Sequence, residues 1–96
     1  MDITKEKEFY KLIDKILWEV WDPIGINTNP NIRNEYYGYV PLIFQKALEV
    51  DNEIELAKVL FFIETERMEL DGNFEKCLLI SKEILKAKPD GKTLEK

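Results

Sequence analysis

Nineteen carboxylates and not one histidine define the chemistry open to this 96-residue chain. Histidine is the commonest general base, the central member of serine and cysteine triads and the commonest zinc ligand, so those routes are closed. The single cysteine, Cys77, can build neither a CxxC pair nor an intramolecular disulfide. Glycines at 25, 38, 72 and 91 are too scattered for a phosphate-cradling loop. Carboxylates alone could hold calcium in an EF-hand loop or a di-iron pair through ExxH motifs, and neither pattern occurs. The expectation is no catalytic, cofactor-binding or metal-binding residue, and hence no enzyme.

The same carboxylates suit binding. The formal net charge is −5 and the isoelectric point near 4.8, the wrong sign for holding phosphates, so nucleic acid is not the expected partner. A basic protein is. From Glu64 to Glu75 the chain carries five acids, Glu64, Glu66, Glu69, Asp71 and Glu75, against Arg67 alone, a local net of −4. Such a run is either a solvated face or a surface that steers a cationic protein. Two of its members lie toward the C-terminal end of a helix, where negative charge opposes the macrodipole.

Within the run Glu64 sits between apolar neighbours. It reads either as a rim residue paired with Arg67 at i+3 or as an acid kept for a basic partner. Phe62 falls on the polar side of the same helix, Leu79 among charges on the next, and Trp18 opposite the apolar stripe of the first. Large apolar groups ringed by polar ones are what interface anchors look like. The tyrosine cluster adds Glu35 and Tyr37, with Tyr36 read as core and Tyr37 and Tyr39 as outward. The candidate partner-binding set is therefore Glu64, Glu66, Glu69, Asp71, Phe62, Glu35 and Tyr37.

These residues must be carried by helices. Phe9, Leu12, Ile13, Ile16, Leu17 and Val20 recur at helical spacing, and Asp22-Pro23 stops them. Tyr36, Val40, Ile43, Phe44, Ala47 and Leu48 form a second stripe with Pro41 inside it, which predicts a helix kinked near its start. Asn52 and Glu55 make a capping pattern for a third helix, apolar on two arcs: Ile54, Ala57, Phe61 and Met68 on one, Leu56, Val59, Leu60, Ile63 and Leu70 on the other. Gly72 is the expected left-handed residue at its end, and Asn73 the cap of a fourth helix ended by Pro89. The fold expected is all-α: one domain over 1–96, a compact bundle of four helices at about 3–21, 35–50, 52–70 and 73–88. An Asn/Pro-rich loop joins the first two, and a tail at 89–96 frays. The N-terminus shows no apolar signal region, and the longest apolar run, Val59 to Ile63, is far below the ~20 residues that span a bilayer. A soluble, cytoplasmic protein, without membrane attachment, is expected.

The loop opens on Trp21-Asp22-Pro23-Ile24-Gly25-Ile26. Asp22 can accept backbone N–H groups from the turn that follows while Pro23 fixes the bend, and Trp21 closes the core edge, so Trp21, Asp22, Pro23 and Gly25 read as a structural motif. This WDPIGI stretch, with Asn34-Glu35-Tyr36-Tyr37-Gly38-Tyr39-Val40-Pro41 and the helix from Ile54 to Leu70, resembles small helical bacterial proteins with a WDPIG motif. Some of that family are immunity proteins encoded beside polymorphic toxins, including contact-dependent inhibition systems. The match covers roughly residues 9 to 85; WDPIG is its specific part and the helical remainder is weak. Where the family usually has acids in DEYD, this chain has Asn34 and Tyr37 and keeps Glu35. The resemblance implies an immunity protein, monomeric when free, that neutralises a basic nuclease toxin domain by occluding its active site. The alternative is a non-catalytic adaptor or regulatory protein, homodimeric through Trp18 or Phe62.

Overall fold

Phe9, Ile13 and Leu17 lie four residues apart, a spacing that stacks side chains on one side of a helix, and all three are buried. In the computed structural model, which describes residues 3–89, that helix is α1 (Ile3–Ile16), extended by one π-helical turn, Leu17–Trp21. Helix α2 (Val40–Glu49) follows two 3-10 turns, Pro30–Ile32 and Tyr37–Tyr39. Helix α3 (Glu53–Phe62) also ends in a π turn, Ile63–Arg67, and α4 is Phe74–Lys86. Among the described residues there is no strand, and the architecture is the expected bundle of four helices. The tail expected to fray lies outside the described residues beyond Pro89.

Both expected caps form. The Asn52 side chain accepts from the backbone N–H of Glu55 at 3.0 Å, and Asn73 from that of Lys76 at 3.0 Å, each meeting one of the donors a helix start leaves unpaired. One core joins the elements: Trp21, Tyr36, Ile43, Leu56, Leu60, Cys77 and Ile84 are completely enclosed. The radius of gyration, 13.4 Å, is what one globule of about 100 residues gives, roughly 13 Å.

Several expectations need correction. The second helix does not run kinked from residue 35: the α-helix begins at Val40, with Pro41 in its first turn where a missing N–H costs nothing. In the π turn after α1, Val20 is 51% exposed and Trp18 only 7%, the reverse of the sequence reading. The π turn contains an extra residue, so the α stripe loses register there and carries Val20 outward. Trp18 is covered by the segment after Trp21, which folds back: the Tyr36 ring lies 6.1 Å away and the Arg33 guanidinium 5.1 Å over the indole. Trp18 is thus no dimer anchor. Ile54 is exposed, leaving its arc to Ala57, Phe61 and Met68. Tyr39 is half-buried rather than outward, edge-on to Trp21.

Gly72 does not end α3. The helical turns stop at Arg67, and the left-handed residue is Glu69, at φ +58°. The N–H of Leu70 then reaches back to the carbonyl of Glu64 at 2.8 Å, a Schellman-like closure widened by the π turn. Gly72 serves the next turn, at φ +85°, with Phe61 Cε1 and Thr65 Cγ2 only 2.5 and 2.7 Å from where a Cβ would stand. Gly25 has a similar φ, +77°, but open space around it. Gly72→Ala should therefore cost about 2 kcal/mol or more, strain plus a clash, against about 1 kcal/mol for Gly25→Ala, strain alone. Urea unfolding of the two variants checks this; equal losses would show that the contact with Phe61 and Thr65 relaxes freely.

Candidate functional site

Asp22 ends the first π turn in a left-handed conformation, φ +31°. One carboxylate oxygen accepts from the Ile26 N–H at 2.8 Å and the Tyr36 hydroxyl at 2.8 Å, the other from the Asn27 N–H at 3.3 Å. The backbone N–H of Ile24 donates to the same hydroxyl at 3.2 Å. Burial, then the bond to Asp22, raise the Tyr36 phenol above its ordinary range. The residue before Pro23 thus organises the whole bend and pins the start of the Tyr36 segment to it, a structural role for the motif. Gly25 closes a turn onto the Asp22 carbonyl at 3.1 Å.

One residue earlier, Trp21 is fully buried and its indole N–H points across the bundle to Glu64, Nε1 to Oε2 2.7 Å. Glu64 lies in the second π turn and is 3% exposed. Its other oxygen accepts from the backbone N–H of Asn73 at 2.8 Å, and Oε2 also takes the Cys77 thiol at 3.3 Å. Three donors thus converge on a group that, ionised, only accepts. This corrects both readings of Glu64: it does not pair with Arg67, and it is no partner-facing acid, since engaging a partner would strip bonds from Trp21, Asn73 or Cys77. Burial, then the adjacent carboxylate, push the Cys77 thiol up to about 12.

Above Glu64 opens a cleft of about 280 Å³ bounded by Pro23, Leu70, Asp71, Gly72, Asn73 and Lys76. Around it Glu66, Glu69, Asp71 and Glu75 are exposed, and none has an ion pair among the described residues. Other exposed acids do: Glu49, Glu55 and Glu83 each pair with a lysine on their own helix. Phe62 is 53% exposed one turn before Glu66, and Leu79 is exposed on α4. The sequence-derived set therefore divides. Glu66, Glu69, Asp71 and Phe62 belong to the α3–α4 corner. Tyr37 is exposed and stacked under Arg33, with the guanidinium 5.5 Å from its ring, and Glu35 is exposed in the same 23–39 segment. Sequence reasoning missed Arg33, which clasps Asp14 with both nitrogens at 3.2 and 2.9 Å. Its only local signal was its place among the tyrosines. Among the described residues no three His, Cys, Asp or Glu side chains are grouped to hold a metal ion, and no helix is long and apolar enough to cross a membrane.

No protein-family model matches the chain, and no curated protein and no solved structure matches it.

Two outcomes are expected of the buried cluster. Glu64→Gln, though isosteric, turns an amide NH₂ toward either Asn73 N–H or Trp21 N–H; the donor left facing a donor should cost about 2 kcal/mol in urea unfolding. No loss would mean that the cluster repacks around the amide. The raised thiol has a pH signature. In the unfolded chain Cys77 loses its proton near its ordinary 9.0, whereas in the fold it keeps it to about 12. The stabilisation is complete below 9.0 and disappears as pH rises through that window. Tyr36, also raised, adds to the loss from 10.0 upward. Stability measured across the window should fall, with a shallower onset in Cys77→Ala; identical profiles would show that the thiol contributes nothing.

Proposed function

We propose that this chain is a non-catalytic immunity protein, which binds a basic toxin domain through the α3–α4 corner and covers its active site. The observation that carries the reading is Glu69. It is exposed, has no ion pair among the described residues, and follows on the C-terminal end of α3, where negative charge is unfavourable. It also holds a left-handed backbone, φ +58°, which costs a side-chain-bearing residue about 1–2 kcal/mol relative to glycine's freedom. Fold stability gains nothing from a glutamate there. Strain held at an exposed residue is what a binding role explains. Glu66, Asp71 and Glu75 extend the same negative surface, and Phe62 offers an apolar anchor beside it.

The resemblance to WDPIG-containing immunity proteins supports the choice of a toxin as the basic partner, and a nuclease active site, built to hold phosphates, supplies the positive face. Four unpaired carboxylates would steer that face in and lose strength as salt screens them. The chain acts in the cytoplasm and is a monomer until it meets its partner. The homodimer alternative loses one of its two anchors with Trp18 buried.

Glu69→Gly separates function from stability. It should raise the unfolding free energy by about 1 kcal/mol while weakening the toxin complex about ten-fold. The test is co-expression with basic nuclease toxin domains, beginning with any encoded beside this gene, together with affinity measured at two salt concentrations. Retained protection in a Glu66→Lys, Glu69→Lys, Asp71→Lys triple variant that still folds would sink the proposal, as would protection against no toxin at all.

A further inference from the structure

The face of α1 that carries Lys7, Lys11 and Lys15 differs from the rest of this acidic protein. The three lie four residues apart, so their side chains form one row along the helix. All are exposed, and none has an ion pair among the described residues. Beside Lys11 runs an open groove of about 380 Å³, lined by Tyr10, Lys11, Asp14, Tyr37 and Val40. Val40 lies at its buried floor, while Tyr10 and Tyr37 are 38% and 49% exposed.

The groove is built rather than incidental. The Tyr10 ring stands edge-on against Phe44, with centroids 5.1 Å apart. The Arg33 guanidinium is shared between the Trp18 and Tyr37 rings, at 5.1 and 5.5 Å, and ties to both oxygens of Asp14. That clasp has an electrostatic consequence. Asp14, the one acid lining the groove, is neutralised by Arg33, so the unpaired charge lining it is Lys11, with Lys7 and Lys15 one helical turn to either side. Tyrosines whose surroundings already fix them lose little freedom on binding and are favoured anchors.

We propose that this groove docks an acidic segment of a protein partner: one large apolar side chain between Tyr10 and Tyr37, flanking carboxylates on Lys7, Lys11 and Lys15. Charge decides the occupant. A basic segment would meet the Lys11 ammonium in the groove and Lys7 and Lys15 a turn to either side, and a purely apolar one would leave them unused. The surface is independent of the α3–α4 corner, and its partner chemistry is of the opposite sign.

The test is selection of a displayed random short-peptide library on the full chain, followed by affinity measurement with the selected synthetic peptides. The expected winners have an aromatic or aliphatic residue flanked by Asp and Glu. Their binding should weaken about ten-fold in Tyr37→Ala and in Lys11→Glu, fall with salt, and be unchanged in Glu69→Lys. Tyr37→Ala removes a half-exposed ring, and Lys11→Glu a solvent-exposed head, so the second variant remains informative if the first fails to fold. Selected peptides that are basic or uncharged would overturn the proposal, as would no selection at all, or peptides indifferent to Lys11→Glu. Sedimentation closes the remaining route. Self-association abolished alike by Lys11→Glu and by Glu69→Lys would show that the groove takes the acidic corner of a second copy instead, which overturns the proposal of a foreign partner.

Discussion

A carboxylate taken out of water must be supplied with donors, and much of this fold follows from how Glu64 is supplied. Leaving it unsatisfied would cost several kcal/mol, a large share of what a domain of this size has in reserve. Its three donors come from three places: the indole of Trp21 at the end of α1, the thiol of Cys77 inside α4, and the backbone N–H of Asn73 before α4 begins. Bringing them together fixes the approach of those elements far more narrowly than apolar contact does, since greasy surfaces slide and hydrogen bonds do not. Gly72 belongs to the same constraint. A Cβ at 72 would press on the Phe61 and Thr65 side chains, so glycine best makes the turn that presents Asn73 to the carboxylate. The two π turns also meet here, one carrying Trp21 and the other Glu64.

The second polar node, Asp22 with Tyr36, works on the long connection rather than on the helices. By holding Ile26, Asn27 and the Tyr36 hydroxyl it folds residues 23–39 back over α1. Trp18 is buried as a result, and Arg33 and Tyr37 are laid beside Tyr10. Without that bend the groove on α1 would have one wall. The two nodes are one residue apart in sequence, at Trp21 and Asp22, so a single dipeptide ties the bundle on one side and the loop on the other.

What the sequence made legible divides along the same physical line. Helix spacing, the two asparagine caps and the Asp22 turn depend on neighbours within a few residues, and they were readable. Glu64 was legible as a residue out of place, but its main donor lies 43 residues away, beyond any local pattern. The π turns were not readable, because an extra residue per turn is held by the tertiary bonds just described and not by local propensity. From that omission came the reversed burial of Trp18 and Val20. Glycine is the default left-handed residue, which points to Gly72 as the end of α3; the chain instead places the strain on Glu69. As for the candidate site, the acidic run was plain in composition, while the groove needed the fold, since Tyr10 and Tyr37 are brought together only by the bend.

The acids of the α3–α4 corner are not equivalent, and their placement separates structural from functional readings. Asp71 and Glu75 flank the start of α4, where unpaired N–H groups and the positive end of the helix dipole favour negative charge. Their presence needs no partner. Glu64 is accounted for by its three donors. Glu66 and Glu69 remain, at the closing end of α3, where the dipole opposes them, with no ion pair to either among the described residues. Glu69 adds a strained backbone. The helix dipole at both positions favours a neutral or basic residue, and the backbone at 69 favours Gly or Asn. Glu66 and Glu69 are thus the two acids of the corner whose placement neither the helix dipoles nor the buried cluster explains.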